Sequence, residues 1–540
     1  LVGAALRLHL SRRIRLLGNL DYWRSRTAAI QLAQLRALLR FAARTEFGRE
    51  HGFARLATLP DDQLLHAYRK ALPPADWYAY RDRIARMREG AQPDVLWPGL
   101  VRDFAQTSGT TAGDKYIPVS REMMRSNFRA SLDIFAHLHR FGVSLPFLTA
   151  GKSLFLGGST DYATSPQGIR TGDLSGLVVP MIRWPITKIY LPGRHIALMS
   201  HWPSKLDAMA RACVNQDVRM VSGVPSWTLS LFERVLAVAR EQGREVRTIA
   251  DVWPTLTVFV HGGVRYAPFE PRVRQFWSGS PTGPDIPCRL ELYPASEGFV
   301  AMQDVRGDPG LRLMSDIGNF YEFIPLERVG EADAPAHACW EVEKGQRYVV
   351  CMSTCAGLFR YILGDVVEFD TIPAGPDGRG GEGPCRLRIV GRHRHFINAF
   401  GENLIVEHIE NAVAHAARHT GWVVGEFTAA PVYPDPSIGR RPGLELAIEV
   451  QSGDPAALDA FARAFDDALK AQNVDYTTKR TDDVGMGPPT ITVLPMGTFD
   501  RWMDSRGKLG GQHKCPRCAN HRDYLSAVVE VGLGPVHRTV

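Results

Sequence analysis

Four short stretches of this 540-residue sequence gather residue types suited to holding a nucleotide. The first is Ser108-Gly109-Thr110-Thr111-Ala112-Gly113-Asp114-Lys115. Its glycines let the backbone bend tightly around a ligand, its hydroxyls and amides suit phosphate oxygens, and Lys115 adds a positive charge. The order is not that of a P-loop, where lysine directly precedes Ser or Thr after a longer spacer. Taken alone, the stretch also reads as a flexible turn. The second, residues 261–266 (HGGVRY), follows an expected strand, and the pair Gly262-Gly263 permits close approach of a flat ligand. In the third, residues 293–298 (YPASEG), Tyr293 is suited to cover a base, Ser296 to bond a phosphate and Glu297 to hold Mg²⁺ through oxygen. The fourth, residues 357–365 (GLFRYILGD), ends in Asp365, whose two oxygens can accept both ribose hydroxyls. In isolation, Tyr293 would be read as core packing and Glu297 as a surface acid.

The elements that must position these residues follow from hydrophobic patterning. Residues 1–90 read as helices, with Ala29, Leu32, Leu35, Leu38 and Leu39 forming the clearest apolar stripe within 28–44. After Gly90, short apolar runs end in glycine or polar turns and alternate with helical segments: Ser153–Leu156, Arg219–Val221 and Leu256–Val260. That texture fits an α/β body with a mostly parallel sheet, whose ligands lie beyond the strand C-termini. From about 311 to 370 the sequence turns strand-rich, notably at Asn319–Ile324 and Gln346–Met352, and 374–384 (AGPDGRGGEGP) reads as an exposed loop. A smaller α+β unit is expected to start near Gly391. It would hold a strand at Leu444–Val450 and a helix capped by Asp454-Pro455, with Leu458, Phe461, Ala462, Phe465 and Leu469 on one face. The expected division is therefore 1–390, carrying the ligand sites, and 391–540, small and mobile.

Composition narrows the class. Hydrophobic residues are 45% and charged residues 22%, ordinary for a globular protein, and the length calls for at least two domains. The net charge of +7 suits an anionic substrate without identifying nucleic acid, for which no reading element is present. Arginines 7, 12, 13, 15, 24, 26, 36, 40 and 44 are read as a plain basic helical surface. No run of 18 apolar residues suggests a membrane span, and eight cysteines are too sparse for a disulfide scaffold, so a reducing cytoplasm is the expected home. A monomer is the default, with a dimer left open.

The ordered set SGTTAGDK, GG at 262–263, YPASE at 293–297 and LFRYILGD at 358–365 resembles the adenylate-forming superfamily. Within it, DFAQTSGTTAGDKYIPVS (103–120), VWPTLTVF (252–259), NFYEFIP (319–325), STCAGLFRY (353–361) and QHKCPRC (512–518) resemble the GH3 family of acyl-acid amido synthetases. The resemblance implies an ATP- and Mg²⁺-dependent ligase. Such an enzyme adenylates a small carboxylic acid, aromatic or otherwise, releases pyrophosphate, and passes the acyl group to an amine, most often an amino acid. It implies that Ser108, Gly109, Thr110, Thr111, Gly113 and Lys115 embrace the phosphates, that Gly262 and Gly263 border the adenine and acyl pockets, and that Tyr293 contacts adenine. Ser296 would touch the α-phosphate, Glu297 would position Mg²⁺, Asp365 would hold the ribose, and Arg392 at the hinge would join the nucleotide site. Lys514 stands where the family's C-terminal lysine enters, giving two catalytic cations with Lys115. Residues Val224 to Trp227 resemble a wall of the acyl pocket.

Two departures stand out. Ile362 occupies the place where the family's third motif commonly has arginine, with Arg360 two positions away as a substitute charge. The spacing from Gly113 to Lys115 is shorter than in many plant members. Glu402, Glu407 and Glu410 read as hinge and surface acids. The cluster His513, Cys515, Cys518 and His521 holds the elements of a zinc site, but its spacing is crowded. An acyl-CoA ligase, or a non-catalytic nucleotide-binding relative, is the competing reading.

Overall fold

The computed structural model describes residues 2–107, 115–157, 162–178, 186–199, 201–263, 266, 269–331, 333–392, 396–397, 399–400, 402, 404–435, 439–483, 485–505, 515 and 517–534. The N-terminal ninety residues are helical. Helix Val2–Gly18 is followed by Leu20–Ala42, whose cap Asn19 accepts from the amide of Tyr22 at 3.0 Å. The second helix buries Trp23, Ala28, Leu32, Leu35, Leu38 and Leu39, so Ala28 rather than the expected Ala29 faces the core. Gln31 lies buried on the same face. Its amide donates to the carbonyls of Ser315 and Asn319 and accepts from the amide of Tyr321, clamping the helix to a strand. Some of the N-terminal arginines also do more than coat a surface. Arg13 bonds both Asp133 and Asp316, and Arg36 reaches Asp61 and two backbone carbonyls.

One twelve-stranded sheet forms the centre of the molecule. In spatial order its strands are His337–Ala338, Phe320–Pro325, Tyr348–Ser353, Tyr361–Thr371, Arg386–Arg392, Leu311–Leu313, Gly298–Gln303, Cys288–Ala295, Val258–Gly262, Val218–Gly223, Lys152–Phe155 and Tyr190–Leu191. The last five run parallel and the remaining neighbours pair antiparallel. The α/β body and the β-rich part expected as a separate subdomain thus share one continuous, mixed sheet. Helices Trp202–Cys213, Pro225–Glu241 and Glu270–Ser278 cover one face of the parallel part, and Arg121–Arg140 covers the other. A separate four-stranded sheet, Lys115–Val119, Asp103–Thr107, Arg170–Gly172 and Tyr162–Thr164, carries the strands on either side of the first glycine-rich stretch.

Beyond Arg392 the chain builds a three-stranded sheet of Val423–Val432, Gly443–Ser452 and Thr490–Leu494, with helices Val406–Thr420 and Leu458–Gln472 packed against it. Asp454 does cap, accepting from the amide of Ala456 at 2.9 Å, and Phe461, Phe465 and Leu469 are buried. Ala464, not Ala462, completes that buried face. The tip of the loop at 376–382 is exposed, and Arg24 holds it by donating to the carbonyl of Gly380 at 3.0 Å.

Candidate active site

A cleft of about 700 Å³ runs along the sheet from the C-terminal end of strand Val258–Gly262 to the start of strand Cys288–Ala295, and its walls include Gly263, Tyr293 and Asp365. Gly262 ends its strand opposite Leu292 of the neighbouring strand. A Cβ there would come within 2.5 Å of the Leu292 carbonyl oxygen, so only glycine lets the two strands pass this closely. Gly263 has φ +84°, a left-handed conformation that glycine adopts without strain.

Tyr293 is buried on strand Cys288–Ala295, and its hydroxyl donates to Oδ2 of Asp365 at 2.6 Å. Asp365 sits in strand Tyr361–Thr371, directly opposite Arg392 in the antiparallel ladder. The residues expected at the base and at the ribose are therefore bonded to each other. Ser296 and Glu297 form the two-residue turn joining Cys288–Ala295 to Gly298–Gln303, and Glu297 is 8% exposed. Gly298, at φ +152°, closes that turn against the Asn319 side chain. Lys115 begins a strand, partly exposed, opposite Thr107. Ser108, Gly109, Thr110, Thr111, Gly113 and Lys514 lie outside the described residues, as does the side chain of Arg392.

Arg360 is not a substitute for the missing motif arginine. It is 3% exposed, has φ +49°, and grips Glu322 through Nε and Nη2 at 2.8 and 3.2 Å while donating to the carbonyl of Leu72 at 2.5 Å. Ile362 packs against the small apolar cluster of Ile324, Ala336 and Cys351, where a charged side chain would be desolvated. Glu402 is likewise no surface acid. It is fully buried, accepts from the amides of Ala399 and Phe400, and is pushed up to about 7 by burial. Glu410, in contrast, is exposed, 3.7 Å from Arg517. Cys515 and Cys518 pack into two different apolar clusters, and His521 is exposed beside Asp523.

Residues absent from the sequence reading complete the site. His261 and Tyr266 line the cleft with stacked rings, centroids 4.6 Å apart. Arg289 lies 4.1 Å over Tyr266 and pairs with Asp285 at 2.9 Å. Position at the end of a parallel strand was the signal that could have marked His261. Beside the expected acyl wall, the ammonium of Lys479 rests 3.9 Å over the ring of Trp227. Burial pushes Lys479 down to about 8, against the pull of Asp475, Glu402 and Asp173.

This fold is shared with adenylate-forming ligases. A GH3.15 acyl acid amido synthetase aligns with TM-score 0.56 at 18% identity over 94% of each chain. A 2-hydroxyisobutyryl-CoA ligase bound to its acyl-AMP and CoA aligns with TM-score 0.52 at 16% identity, over 94% of this chain and 91% of that one. The GH3 family N-terminal domain matches residues 16–191 and 173–282, the GH3 central domain 312–375 and the GH3 C-terminal domain 407–523. The chain belongs to the GH3 family. Its relatives include the indole-3-acetic acid-amido synthetase GH3.8 of Oryza sativa subsp. indica, 28% identical over 293 residues, 50% of this chain and 44% of the relative. The probable indole-3-acetic acid-amido synthetase GH3.1 of Arabidopsis thaliana is 23% identical over 537 residues, 84% of this chain and 83% of the relative. The chain spans about half the length of the first two relatives, 44% and 48%.

Proposed function

We propose that this protein is an ATP-dependent acyl-acid amido synthetase. It joins a small carboxylic acid to AMP, releasing pyrophosphate, and then transfers the acyl group to an amine, an amino acid by preference, releasing AMP. The observation that carries the reading is the Tyr293–Asp365 pair set beside Gly263 in one cleft, within a chain matched by all three GH3 domain models.

The acid needs no general base for the first step, since a carboxylate is already a nucleophile. The protein aligns its attack on the α-phosphorus and neutralises the charge that spreads over the phosphate oxygens. In this reading Asp365 accepts the ribose hydroxyls while the Tyr293 hydroxyl, bonded to Oδ2, fixes the orientation of the carboxylate. Ser108 to Gly113 and Lys115 surround the phosphates, Gly262 and Gly263 lie under the base, Ser296 meets the α-phosphate, Arg392 joins the nucleotide site, and Lys514 enters from the C-terminal unit. Glu297 is a single, largely buried carboxylate at a tight turn. That suits Mg²⁺, which takes one or two carboxylates plus substrate phosphates rather than a protein cage. When bound, Mg²⁺ supplies charge neutralisation at those phosphates. Gly391-Arg392 serves as the hinge between residues 1–390 and a mobile 391–540, allowing a different domain orientation for each half-reaction. Eight buried cysteines, none in a disulfide, suit a reducing cytoplasm, and no helix among the described residues is long and apolar enough to cross a membrane.

The test is a screen of acids and amines followed by AMP and pyrophosphate release and by the mass of the product. Production of ADP and phosphate would overturn the adenylation reading. Transfer to coenzyme A in preference to every amine would overturn the amide reading.

A further inference from the structure

His261 is the next-to-last residue of strand Val258–Gly262, directly before the glycine pair, and lines the cleft with Gly263, Tyr293 and Asp365. It is 3% exposed, and its ring lies nearly parallel to Tyr266, at 25°. Burial, with the Arg289 charge nearby, pushes it down to about 3, so the imidazole is neutral at any working pH. A neutral imidazole has one N–H and one bare lone pair. Nδ1 of His261 has no hydrogen-bond partner among the described residues, and a buried nitrogen in that state calls for a reason.

Its neighbours have little capacity to spare. The Tyr293 hydroxyl is on Asp365, and that of Tyr266 is on Asp285 at 3.3 Å. Gln303 accepts from the amide of Glu291 and donates to the carbonyls of Val305 and Asp308. Arg274 is held by Glu270 at 2.5 Å and by the carbonyl of Gly283. Among the described residues, Nδ1 of His261 is thus left without a partner in a residue that lines this cleft, while its polar neighbours named above are engaged.

We propose that His261 reads the edge of the nucleobase, a ring nitrogen accepting a hydrogen bond from the 6-amino group of adenine. The inference rests on the nucleotide reading of this cleft and adds the residue by which the site selects adenine among purines. Gly263, on the cleft wall, presents no side chain to the flat face of the base, and His261, on the same wall, is placed to meet its rim. Guanine carries a carbonyl oxygen where adenine carries the amine. Acceptor would then face acceptor unless the imidazole moved its proton to the other nitrogen, so the preference is moderate rather than absolute.

The test crosses a change in the ligand with a change in the residue. ATP and purine riboside triphosphate, which lacks only the 6-amino group, are titrated by calorimetry against the full chain and against His261→Leu and His261→Asn. The wild type should bind the analogue about tenfold more weakly, as loss of one hydrogen bond predicts. His261→Leu should bind both alike, near the wild-type level for the analogue. His261→Asn, whose amide oxygen can accept, should recover part of the preference, and it carries the cycle alone if the leucine variant fails to fold. An equal penalty for the analogue in wild type and in the folded variants, or no penalty in wild type, would overturn the role of His261. Wild type binding neither nucleotide is a different result and would take the nucleotide reading down with it.

Discussion

Tyr293 and Asp365 are bonded at 2.6 Å although three strands lie between theirs in the order of the sheet. Four inter-strand steps of about 4.8 Å would hold them about 19 Å apart in a flat sheet. The five strands from Tyr361–Thr371 to Cys288–Ala295 must therefore coil enough to bring these two side chains together, a strong form of the twist natural to β-structure. The side chains that meet are the ones the proposed function places at the nucleotide.

Asp365→Ala should weaken ATP use by about 2–4 kcal/mol, since two hydroxyls lose a charged acceptor. Tyr293→Phe should cost less, about 1 kcal/mol, because the carboxylate stays but loses its fixed orientation. The double variant should fall short of the sum, because the pair acts as a unit. ATP-dependent pyrophosphate exchange measures all three. Additive losses would mean that the two residues contribute independently.

Lys514→Ala should slow adenylation by about a hundredfold, roughly 3 kcal/mol of transition-state stabilisation, while sparing aminolysis. Paired single-turnover assays, one from acid plus ATP and one from pre-formed acyl-adenylate plus amine, separate the steps. Equal losses in both would argue for a general defect, and no loss in either would leave Lys115 and the metal to carry the charge.

Glu402 predicts a pH dependence of stability. Burial raises its folded value to about 7 from the ordinary value of 4.5. Folding therefore takes up a proton in that window, and the stability it contributes is full below pH 4.5 and lost as pH rises through 7. The total is roughly 3 kcal/mol. Glu402→Gln keeps an acceptor for the amides of Ala399 and Phe400 but cannot titrate. Thermal midpoints should converge with wild type near pH 5 and move in favour of the variant by pH 8. Parallel curves would show that Glu402 does not titrate there.

Arg360→Met should destabilise the fold by about 3 kcal/mol, because the buried Glu322 carboxylate then keeps only Arg69 as its cation. Protein that still folds should keep its KM for ATP. A large rise in that KM at unchanged stability would return Arg360 to the nucleotide site.

The parallel strands and the N-terminal helices were legible because local patterning specifies them, and Tyr293 and Asp365, singled out by short motifs, do meet in one cleft. Ile362 prompted the search for a substitute charge, but Arg360, two residues away on the chain, turns through a left-handed backbone into a buried ion pair. Glu402 looked like a surface acid because charge is normally solvated, and only the folded chain reveals the amides that hold it. The joining of the two halves of the sheet was not legible, since a ladder between Leu311–Leu313 and Arg386–Arg392 leaves no periodic trace in either segment. His261 was hidden by its neighbours, the glycines having drawn the reading to themselves.

The place of strand Arg386–Arg392 also constrains how the molecule is born. It lies between Tyr361–Thr371 and Leu311–Leu313, and it is the last of the twelve strands to be synthesised. Until it emerges from the ribosome, the sheet exists as two unjoined pieces, one bearing Asp365 and the other Tyr293. A nascent chain halted before residue 386 should therefore have no complete nucleotide cleft. ATP cannot template its early folding, and capture of ATP by a stalled chain should begin only when this strand has cleared the exit tunnel.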